Sequence, residues 1–530
     1  MRFAGSLGPE FCYETVFGRK YPGWRRRAAK PRETATPTAR RVREGQSMYL
    51  GIDLGTSGVK VLLIDGKQKI VGSASAHIEL SRPNPGWSEQ DPADWIRATE
   101  EAVSALRANH PKELDAVAGI GLSGHMHGAT LLDGSDNVLR RCILWNDTRS
   151  HAEAAELDLD PRFRKISGNI VFPGFTAPKL VWVRNNEPEI FAKVRKVLLP
   201  KDYLRLWMTG EHMSDMSDSA GTSWLDVGAR RWSTDLLAAT DLGEENMPTL
   251  VEGTDHAGTL RPDIASRWGL GDGVVVAGGA GDNAASACGM GTVAPGHAFV
   301  SLGTSGVLFA ANGSYLPNPE SAVHTFCHAL PNAWHQMGVI LSATDSLNWL
   351  AGISGRNAAD LTIDLGTALR KPTGISFLPY LSGERTPHND SAIRGVFTGL
   401  AHESDLQALT QAVLEGVAFA FRDCLVALEA AGTTLTRVTA VGGGSRSHYW
   451  LKSIATALGI SVDIPADGDF GAAFGAARLG LIAAEKADPI AVCSAPITAQ
   501  TIEPVSGLVD AYSNAYHRYR ALYPAIKGVS

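Results

Sequence analysis

The pentapeptide Leu-Gly-Thr-Ser-Gly fills residues 54–58 and returns at residues 302–306, 248 positions later. Each copy lies between two runs rich in apolar and β-branched residues, at 49–53 and 59–64 for the first copy and at 299–301 and 307–310 for the second. A glycine-containing turn between two such runs is typical of a β-hairpin. The sequence therefore predicts two equivalent glycine-rich hairpins, one in each half of the chain.

The elements that follow the hairpins also repeat. In the first half a helix is predicted over 93–108, because Asp91 is a good N-cap and Pro92 suits the first helical position, and a strand with small residues at its end follows at 117–124. In the second half a helix at 406–431 precedes a similar strand at 438–445. With 530 residues, too many for one ordinary core, we expect two domains, at 48–294 and 295–530, with the break near 289–296.

Composition narrows the class of protein. Apolar residues make up 44% of the chain, charged residues 20%, and the net charge is −6. This is a soluble globular composition, and a mildly acidic chain disfavours binding to nucleic acid or to an anionic membrane. The sequence contains no run of about 18 apolar residues, so no membrane-spanning helix is expected.

The first 47 residues differ from the rest. They carry eleven Lys and Arg against four Asp and Glu, without apolar periodicity, and are predicted to be a disordered basic extension. A misassigned start codon, with Met48 as the true start, and a transit peptide both remain open. The six cysteines are scattered, without a Cys-x-x-Cys pair, so we expect free thiols in a reducing cytoplasm rather than disulfides or a zinc site.

The two hairpins suit a nucleotide. Glycine permits a positive φ and close approach of a ligand to the backbone, and successive N–H groups form an anion nest. The hydroxyl groups of Thr56, Ser57, Thr304 and Ser305 add donors; an ordinary turn is the alternative. Asp53 precedes the first copy where Ser301 precedes the second, and a carboxylate beside phosphates requires a cation such as Mg²⁺. The P-loop and dinucleotide-binding motifs are absent.

Asp282 follows a predicted strand at 274–277, inside the glycine-rich segment 278–285. It is a candidate for the base that takes a hydroxyl proton during phosphoryl transfer. An N-cap of the following helix is the alternative.

Three further segments combine groups that can bind a sugar or a nucleotide. Residues 123–128, Ser-Gly-His-Met-His-Gly, suit hydrogen bonds to a hydroxylated ligand better than a metal, although His125 can also face the other side of its strand. Residues 145–149, Trp-Asn-Asp-Thr-Arg, resemble the aromatic and polar mixture of sugar sites, with an internal ion pair between Asp147 and Arg149 as the alternative. The glycines at 442–444 can carry adenine with its ribose, while Ser445 and Ser447 can instead cap the next helix. The polar loop at 383–387 has no assigned role.

Taken together, these motifs resemble the FGGY family of carbohydrate kinases. The resemblance covers residues 48 to about 520 and is carried, in the family's order, by residues 51–60, 86–92, 145–149, 281–283, 301–306, 399–416 and 442–445. Residues 123–128 are similar to the Ser-Gly-Gln-Met-His-Gly of members that phosphorylate D-xylulose, with His125 in place of Gln.

The resemblance implies an α/β, two-domain, actin-like ATPase (ribonuclease H-like) fold with ATP in the central cleft. It implies ATP-dependent phosphorylation of D-xylulose to D-xylulose 5-phosphate, with Asp282 as the base and Asp53 near Mg²⁺. The expected sugar-binding residues are Met126, His127, Trp145, Asp147, Arg149, Asp282 and Asn283. The expected nucleotide-binding residues are Thr56, Ser57, Lys60, Gly303, Thr304, Ser305, Gly443, Gly444 and Ser447.

Other functions remain open at this point. The chain could phosphorylate another ketose or a polyol, such as ribulose or ribitol, or act as a non-catalytic sensor of sugar or nucleotide. An actin-like filament protein is disfavoured because the sugar-site motifs would then be unexplained. The oligomeric state cannot be read from the sequence, although a homodimer is the commonest oligomer.

Overall fold

Two seven-stranded sheets, one from each half of the chain, form the centres of two lobes. The structure is a computed structural model that describes residues 47–466, 468 and 470–529, and these belong to one compact unit. The basic extension predicted at 1–47 lies outside the described residues except for Ser47, and so does Cys12.

The first lobe contains fifteen strands and eleven α-helices within residues 48–290. Its strands are β1 (Met48–Leu54), β2 (Gly58–Asp65), β3 (Ile70–His77), β4 (Glu89–Gln90), β5 (Val117–Gly124), β6 (Thr130–Leu132), β7 (Cys142–Ile143), β8 (Lys196–Leu198), β9 (Met213–Asp215), β10 (Leu225–Asp226), β11 (Arg231–Trp232), β12 (Thr249–Val251), β13 (His256–Thr259), β14 (Val275–Ala277) and β15 (Ala280–Gly281). Its helices are α1 (Pro92–Asn109), α2 (Pro111–Asp115), α3 (His151–Leu159), α4 (Pro161–Ser167), α5 (Thr176–Asn186), α6 (Pro188–Phe191), α7 (Pro200–Thr209), α8 (Met216–Ser219), α9 (Thr234–Ala238), α10 (Pro262–Trp268) and α11 (Asp282–Met290).

The second half of the chain continues with nine described strands and seven α-helices. Its strands are β16 (Ala298–Leu302), β17 (Gly306–Asn312), β18 (His324–Cys327), β19 (Trp334–Ile340), β20 (Ser376–Leu378), β21 (Val396–Thr398), β22 (Arg437–Val441), β23 (Ser461–Pro465) and β24 (Thr498–Ile502). Its helices are α12 (Thr344–Ser354), α13 (Ala358–Ile363), α14 (Leu406–Ala430), α15 (His448–Leu458), α16 (Ala472–Glu485), α17 (Pro489–Val492) and α18 (Val509–Ile526).

Strand pairing repeats between the lobes. In the first sheet β1 pairs antiparallel with β2 and parallel with β5, and β2 pairs antiparallel with β3. In the second sheet β16 pairs antiparallel with β17 and parallel with β22, and β17 pairs antiparallel with β19. Both Leu-Gly-Thr-Ser-Gly copies therefore form the same hairpin at the same place in each sheet, as the duplication predicts.

The glycines of the hairpins serve close packing rather than a positive φ. None of the four glycines in the two pentapeptides adopts a positive φ, so the expectation of a positive φ at these turns is wrong. A Cβ on Gly58 would lie 2.5 Å from the carbonyl oxygen of Ala76, and one on Gly306 would lie 2.6 Å from Cζ of Phe421. Side chains at these two positions would therefore collide with neighbouring strands or helices.

Both helices predicted before the glycine-rich strands, α1 and α14, begin directly after an aspartate whose side chain caps the helix. Asp91 accepts a hydrogen bond from the N–H of Ala93 at the start of α1, and Asp405 accepts one from Ala408 at the start of α14. The strand predicted at 438–445 is shorter, because Gly442 adopts a φ of 91° and the chain continues as a 3₁₀ turn at Gly443–Arg446. Glycine makes this sharp reversal possible.

Helix α16 belongs to the second half of the sequence but packs on the first sheet. It lies against β1 and β5 on one side and against α11 on the other. A Cβ on Gly51 would lie 1.8 Å from the carbonyl oxygen of Ala473, and one on Gly475 would lie 1.7 Å from that of Ala285. Glycines thus let α16 approach both neighbours closely, and the helix supports α11.

Two further observations concern the whole described chain. No helix in it combines the length and apolar character needed to cross a bilayer. The five cysteines in the described part, Cys142, Cys288, Cys327, Cys424 and Cys493, are buried free thiols.

Candidate active site

A cavity of about 830 Å³ lies between the two lobes. A second cavity of about 530 Å³ adjoins it, and Asn283 lines both; we call them the main cavity and the adjoining cavity. The predicted sugar-binding residues that line the main cavity are Met126, His127, Trp145, Asp147, Asp282 and Asn283. The structure therefore gathers six residues from distant parts of the sequence at one place.

His127 lies just after β5 and presents a hydrogen-bond acceptor. Its ring stacks on that of Phe175 with centroids 4.5 Å apart, and Nδ1 lies 2.7 Å from the carbonyl oxygen of Gly221. Burial lowers the pKa of His127 to about 3, so the imidazole is neutral. Because a carbonyl oxygen only accepts, Nδ1 carries the hydrogen and Nε2 can accept from a ligand hydroxyl.

His125 faces away from both cavities. Its side chain is buried against Trp95, with ring centroids 5.9 Å apart, and neither ring nitrogen has a hydrogen-bond partner in the described part of the chain. Burial lowers its pKa to about 3. The alternative in which His125 lies on the far side of the strand is therefore the one that the structure adopts.

Trp145 connects the main cavity to the first hairpin. Its side chain is 47% exposed, and its Nε1 donates a hydrogen bond of 2.9 Å to Oγ1 of Thr56. An exposed indole at a cavity wall can pack against the carbon skeleton of a sugar. The contact brings the loop of the first hairpin to the edge of the cavity.

Arg149 does not reach the cavity. Its Nε and Nη2 donate to the two carboxylate oxygens of Asp147 at 2.9 and 2.7 Å, and its Nη1 lies 2.8 Å from Glu89. The guanidinium also stacks 3.6 Å from the ring centroid of Trp87, and the side chain is only 1% exposed. The internal ion pair considered from the sequence is present, so the sugar contact expected for Arg149 is replaced by a structural one.

Asp282 is the first residue of α11, and the N-cap is Gly281. The carboxylate is therefore not the helix cap that the sequence also allowed. Its Oδ1 accepts hydrogen bonds of 2.7 and 3.0 Å from the backbone N–H and the side-chain amide of Asn283. Burial, reinforced by the negative charge of Asp53, raises the pKa of Asp282 to about 6. A carboxyl group poised near neutral pH is suited to accept a proton.

A fully buried charge cluster supports the start of α11. The Nζ of Lys201 lies 2.7 Å from Asp202, 2.7 Å from Asp215 and 2.9 Å from Asp218. Asp215 accepts a hydrogen bond of 2.5 Å from the hydroxyl of Ser217. That hydroxyl in turn accepts one of 3.1 Å from the N–H of Gly281. The residue before Asp282 is thus held by a network without exposed members.

The acidic groups near the cavity fit a divalent cation. The charge of Asp53 is felt by Asp282, so a cation between them would relieve their repulsion. No group of three metal-ligating side chains occurs among the described residues, but Mg²⁺ commonly takes one or two carboxylates and completes its shell with phosphate and water. Asp53, the carboxylate expected near Mg²⁺, therefore fits an ion that completes its shell with nucleotide phosphate and water.

Most of the expected nucleotide-binding residues lie outside the linings of the two cavities. Ser305 lines the main cavity, and Gly442 and Ser445 line the adjoining one. Ser447 is the N-cap of α15 and accepts from the N–H of Trp450, so its hydroxyl has the capping role. The linings of the two cavities do not include Thr56, Ser57, Lys60, Gly303, Thr304, Gly443, Gly444 and Ser447.

Sequence reasoning missed part of the cavity wall. Phe172 and Phe175 come from the first lobe, and His324, Glu384 and Arg385 from the second. The loop with Glu384 and Arg385 was noticed for its polarity, but no sequence signal placed it opposite the first lobe. The phenylalanines lie in a segment without a motif.

The two lobes are ribonuclease H-like, and the cavities beside the Asp282 carboxylate lie between them. This is the architecture of the actin-like ATPases, and solved FGGY sugar kinases share it. Residues 48–289 match the N-terminal domain of the FGGY family of carbohydrate kinases, and residues 298–484 match its C-terminal domain. The chain therefore belongs to this family, as its motifs indicate.

Relatives with established names are similar over most of their length. The xylulose kinase of Escherichia coli K12 is 51% identical over 439 residues, which cover 82% of this chain and 90% of that protein. A crystal structure described as a xyloylose kinase from Brucella ovis is 69% identical, with a TM-score of 0.90, and the match covers 91% of this chain and 100% of that one. The xylulose kinase of Rhodospirillum rubrum is 28% identical with a TM-score of 0.85, covering 91% and 99%.

Proposed function

We propose that the chain transfers the γ-phosphoryl group of ATP to the terminal hydroxyl of D-xylulose, giving D-xylulose 5-phosphate and ADP. Membership of the FGGY family supports a sugar kinase, and the xylulose kinases that are 51% and 50% identical support the sugar. The single observation that carries the proposal is the place of Asp282, which lines the main cavity while its neighbour Asn283 also lines the adjoining one.

In the proposed reaction the ketose occupies the main cavity and the triphosphate reaches it from the adjoining one. Asp282 accepts the proton of the C5 hydroxyl while the C5 oxygen bonds to the γ-phosphorus and the bond to the bridging β,γ-oxygen breaks. Nε2 of His127 accepts a hydrogen bond from a sugar hydroxyl, Trp145 covers the carbon skeleton, and Met126 fills the base of the site. Positioning and charge neutralisation supply most of the catalysis in such reactions.

Mg²⁺, held by Asp53 and the nucleotide, would neutralise charge that develops on the phosphates. The two hairpin loops would offer their N–H groups and hydroxyls to the phosphates, with Thr56, Ser57 and Lys60 on one side and Gly303, Thr304 and Ser305 on the other. The turn at 442–445 would hold the adenosine with Gly443 and Gly444. We assign Ser447 to the support of that turn, because its hydroxyl caps α15.

The proposed setting is the cytoplasm, where free buried thiols are expected, and the proposed partners are small molecules rather than nucleic acid or membrane. Water is the competing acceptor of the phosphoryl group, so an assembled site should require the sugar. We therefore expect ATP hydrolysis without sugar to be weak.

An ATP-coupled assay over D-xylulose, D-ribulose, ribitol and xylitol tests the proposal. We expect the highest kcat/KM with D-xylulose and a low ADP release without sugar. If another member of the panel has a higher kcat/KM, the proposed substrate is wrong, but the chain is still a sugar kinase. ATP turnover that is the same with and without every sugar would refute the kinase itself.

A further inference from the structure

Arg385 reaches the main cavity from the second lobe, and nothing in the sequence assigned it a role. Its guanidinium lies 4.5 Å from the ring centroid of Phe172, which belongs to the first lobe. Its Nη1 lies 3.4 Å from Nε2 of His324, which is long for a hydrogen bond. The arginine therefore spans the cavity between the lobes while making little use of its donors.

The charge of this guanidinium is poorly compensated. An arginine carries five N–H donors and no acceptor. Within the described residues the side chain of Arg385 makes one hydrogen bond, the contact with His324. Burial raises the pKa of the adjacent Glu384 to about 8, so that carboxyl group is largely neutral at pH 7. Burying a cation without hydrogen-bond acceptors costs free energy, and a ligand rich in oxygen acceptors would offset that cost.

Complementary hydrogen-bonding groups lie on the two sides of the cavity, with acceptors on His127 and Asp282 and donors on Arg385. On the first-lobe side, Nε2 of His127 accepts, as the bond of Nδ1 to Gly221 requires, and Asp282 also accepts. On the second-lobe side, Arg385 only donates. A ketose has hydroxyls along its chain and a carbonyl oxygen, an acceptor without a hydrogen, near one end. Its carbonyl end is thus complementary to the arginine and its other hydroxyls to the first lobe.

We infer that Arg385 is a substrate-binding residue that donates hydrogen bonds to the carbonyl end of the ketose and so selects a ketose over the corresponding alditol. The inference rests on the proposed function, since it presupposes a ketose in the main cavity with its terminal hydroxyl at Asp282. In the alditol a hydroxyl replaces the carbonyl, and the guanidinium offers no acceptor for the hydrogen of that hydroxyl. Sites that leave a polar group unpaired discriminate strongly against such analogues.

Phosphorylation of D-xylulose and xylitol by Arg385→Gln tests the inference. A hydrogen bond from a charged donor contributes enough for a loss of about ten- to a hundredfold, so we expect KM for D-xylulose to rise by that factor. We expect kcat/KM for xylitol to fall much less, so that the preference for the ketose shrinks. KM for ATP should stay within about twofold.

Two further variants make the result specific. Arg356→Gln is the matched control, because Arg356 is 43% exposed, pairs with Asp364 at 2.9 Å and lines neither cavity; it should behave like the wild type. Arg385→Lys keeps the charge with fewer donors, and it replaces the glutamine variant if that one has a lowered unfolding temperature. We expect the lysine variant to lose part of the ketose preference.

The outcomes separate this inference from the proposed function. If the wild-type enzyme prefers another ketose, such as D-ribulose, the proposed substrate is wrong, but the inference is tested unchanged with that ketose and its alditol. Equal losses on ketose and alditol, or an unchanged KM for the ketose, would overturn the role of Arg385. A wild-type preference for D-gluconate, whose carboxylate would pair with the guanidinium, would overturn both.

Discussion

Gly221 packs so closely against the imidazole of His127 that a Cβ atom at residue 221 would lie 2.4 Å from Cε1 and 2.5 Å from Nδ1 of the ring. The same glycine provides the carbonyl oxygen that holds Nδ1. One backbone residue thus fixes both the place and the tautomer of the histidine that faces the proposed sugar.

Gly221→Ala should displace His127 and raise KM for D-xylulose. A misplaced hydrogen bond to a sugar hydroxyl costs about 0.5–1.5 kcal/mol, which predicts a rise of roughly two- to tenfold with KM for ATP unchanged. Steady-state kinetics with both substrates measure this. Gly352→Ala is the control, because a Cβ there meets nothing within 4 Å. Wild-type kinetics in Gly221→Ala would contradict the assignment of His127.

The pH dependence of the reaction should show the titration of Asp282. Its pKa is raised to about 6 by burial and by Asp53, and a base must be deprotonated to act. We expect kcat/KM for D-xylulose to fall as the pH drops through about 6. His127 cannot cause this fall, because burial lowers its pKa to about 3. A profile that stays flat down to pH 4.5 would argue against a carboxylate base with this pKa.

Glu415 on α14 should make stability depend on pH. Burial raises its pKa from 4.5 to about 8, so the folded chain keeps the proton that the unfolded chain loses. Its stabilising contribution is complete below about pH 4.5 and is lost as the pH rises toward 8. One unit of pKa shift corresponds to about 1.4 kcal/mol, so the loss amounts to a few kcal/mol.

The variant Glu415→Gln removes that titration while keeping an acceptor for Gln411, which donates to Glu415 over 2.7 Å. Its unfolding temperature relative to the wild type should increase steadily between pH 5 and pH 8, as thermal denaturation at several pH values would show. Glu429→Gln, at the exposed end of the same helix, is the control. A pH-independent difference for Glu415→Gln would show that residue 415 is not a buried neutral acid.

The repeated part of the fold could be predicted from the sequence because each copy of the repeat contains a recognisable local motif. The two pentapeptides form equivalent hairpin turns, between β1 and β2 and between β16 and β17, and Asp91 caps α1 as expected. The close packing of α16 against the first sheet was not predictable, because the glycines that allow it, such as Gly51 and Gly475, have meaning only once both surfaces are in contact.

The candidate site was predicted where motifs carry it and missed where tertiary contacts do. Met126, His127 and Asp282 lie in glycine-rich segments at strand ends, which is a visible pattern. Arg149 also lies in a motif segment, at 145–149, but three neighbouring groups, Trp87, Glu89 and Asp147, hold it inside the protein. Arg385 is the opposite case, since only the meeting of the lobes brings it to Phe172.

The most direct test of the account is phosphoryl transfer by Asp282→Asn, which keeps the shape of the side chain but removes the base. We predict that kcat falls by several orders of magnitude, while D-xylulose binding, measured by calorimetry, changes by no more than a few-fold. The exposed Asp272→Asn serves as the control. A kcat within tenfold of the wild type would show that another group takes the proton and that Asp282 is not the centre of the site.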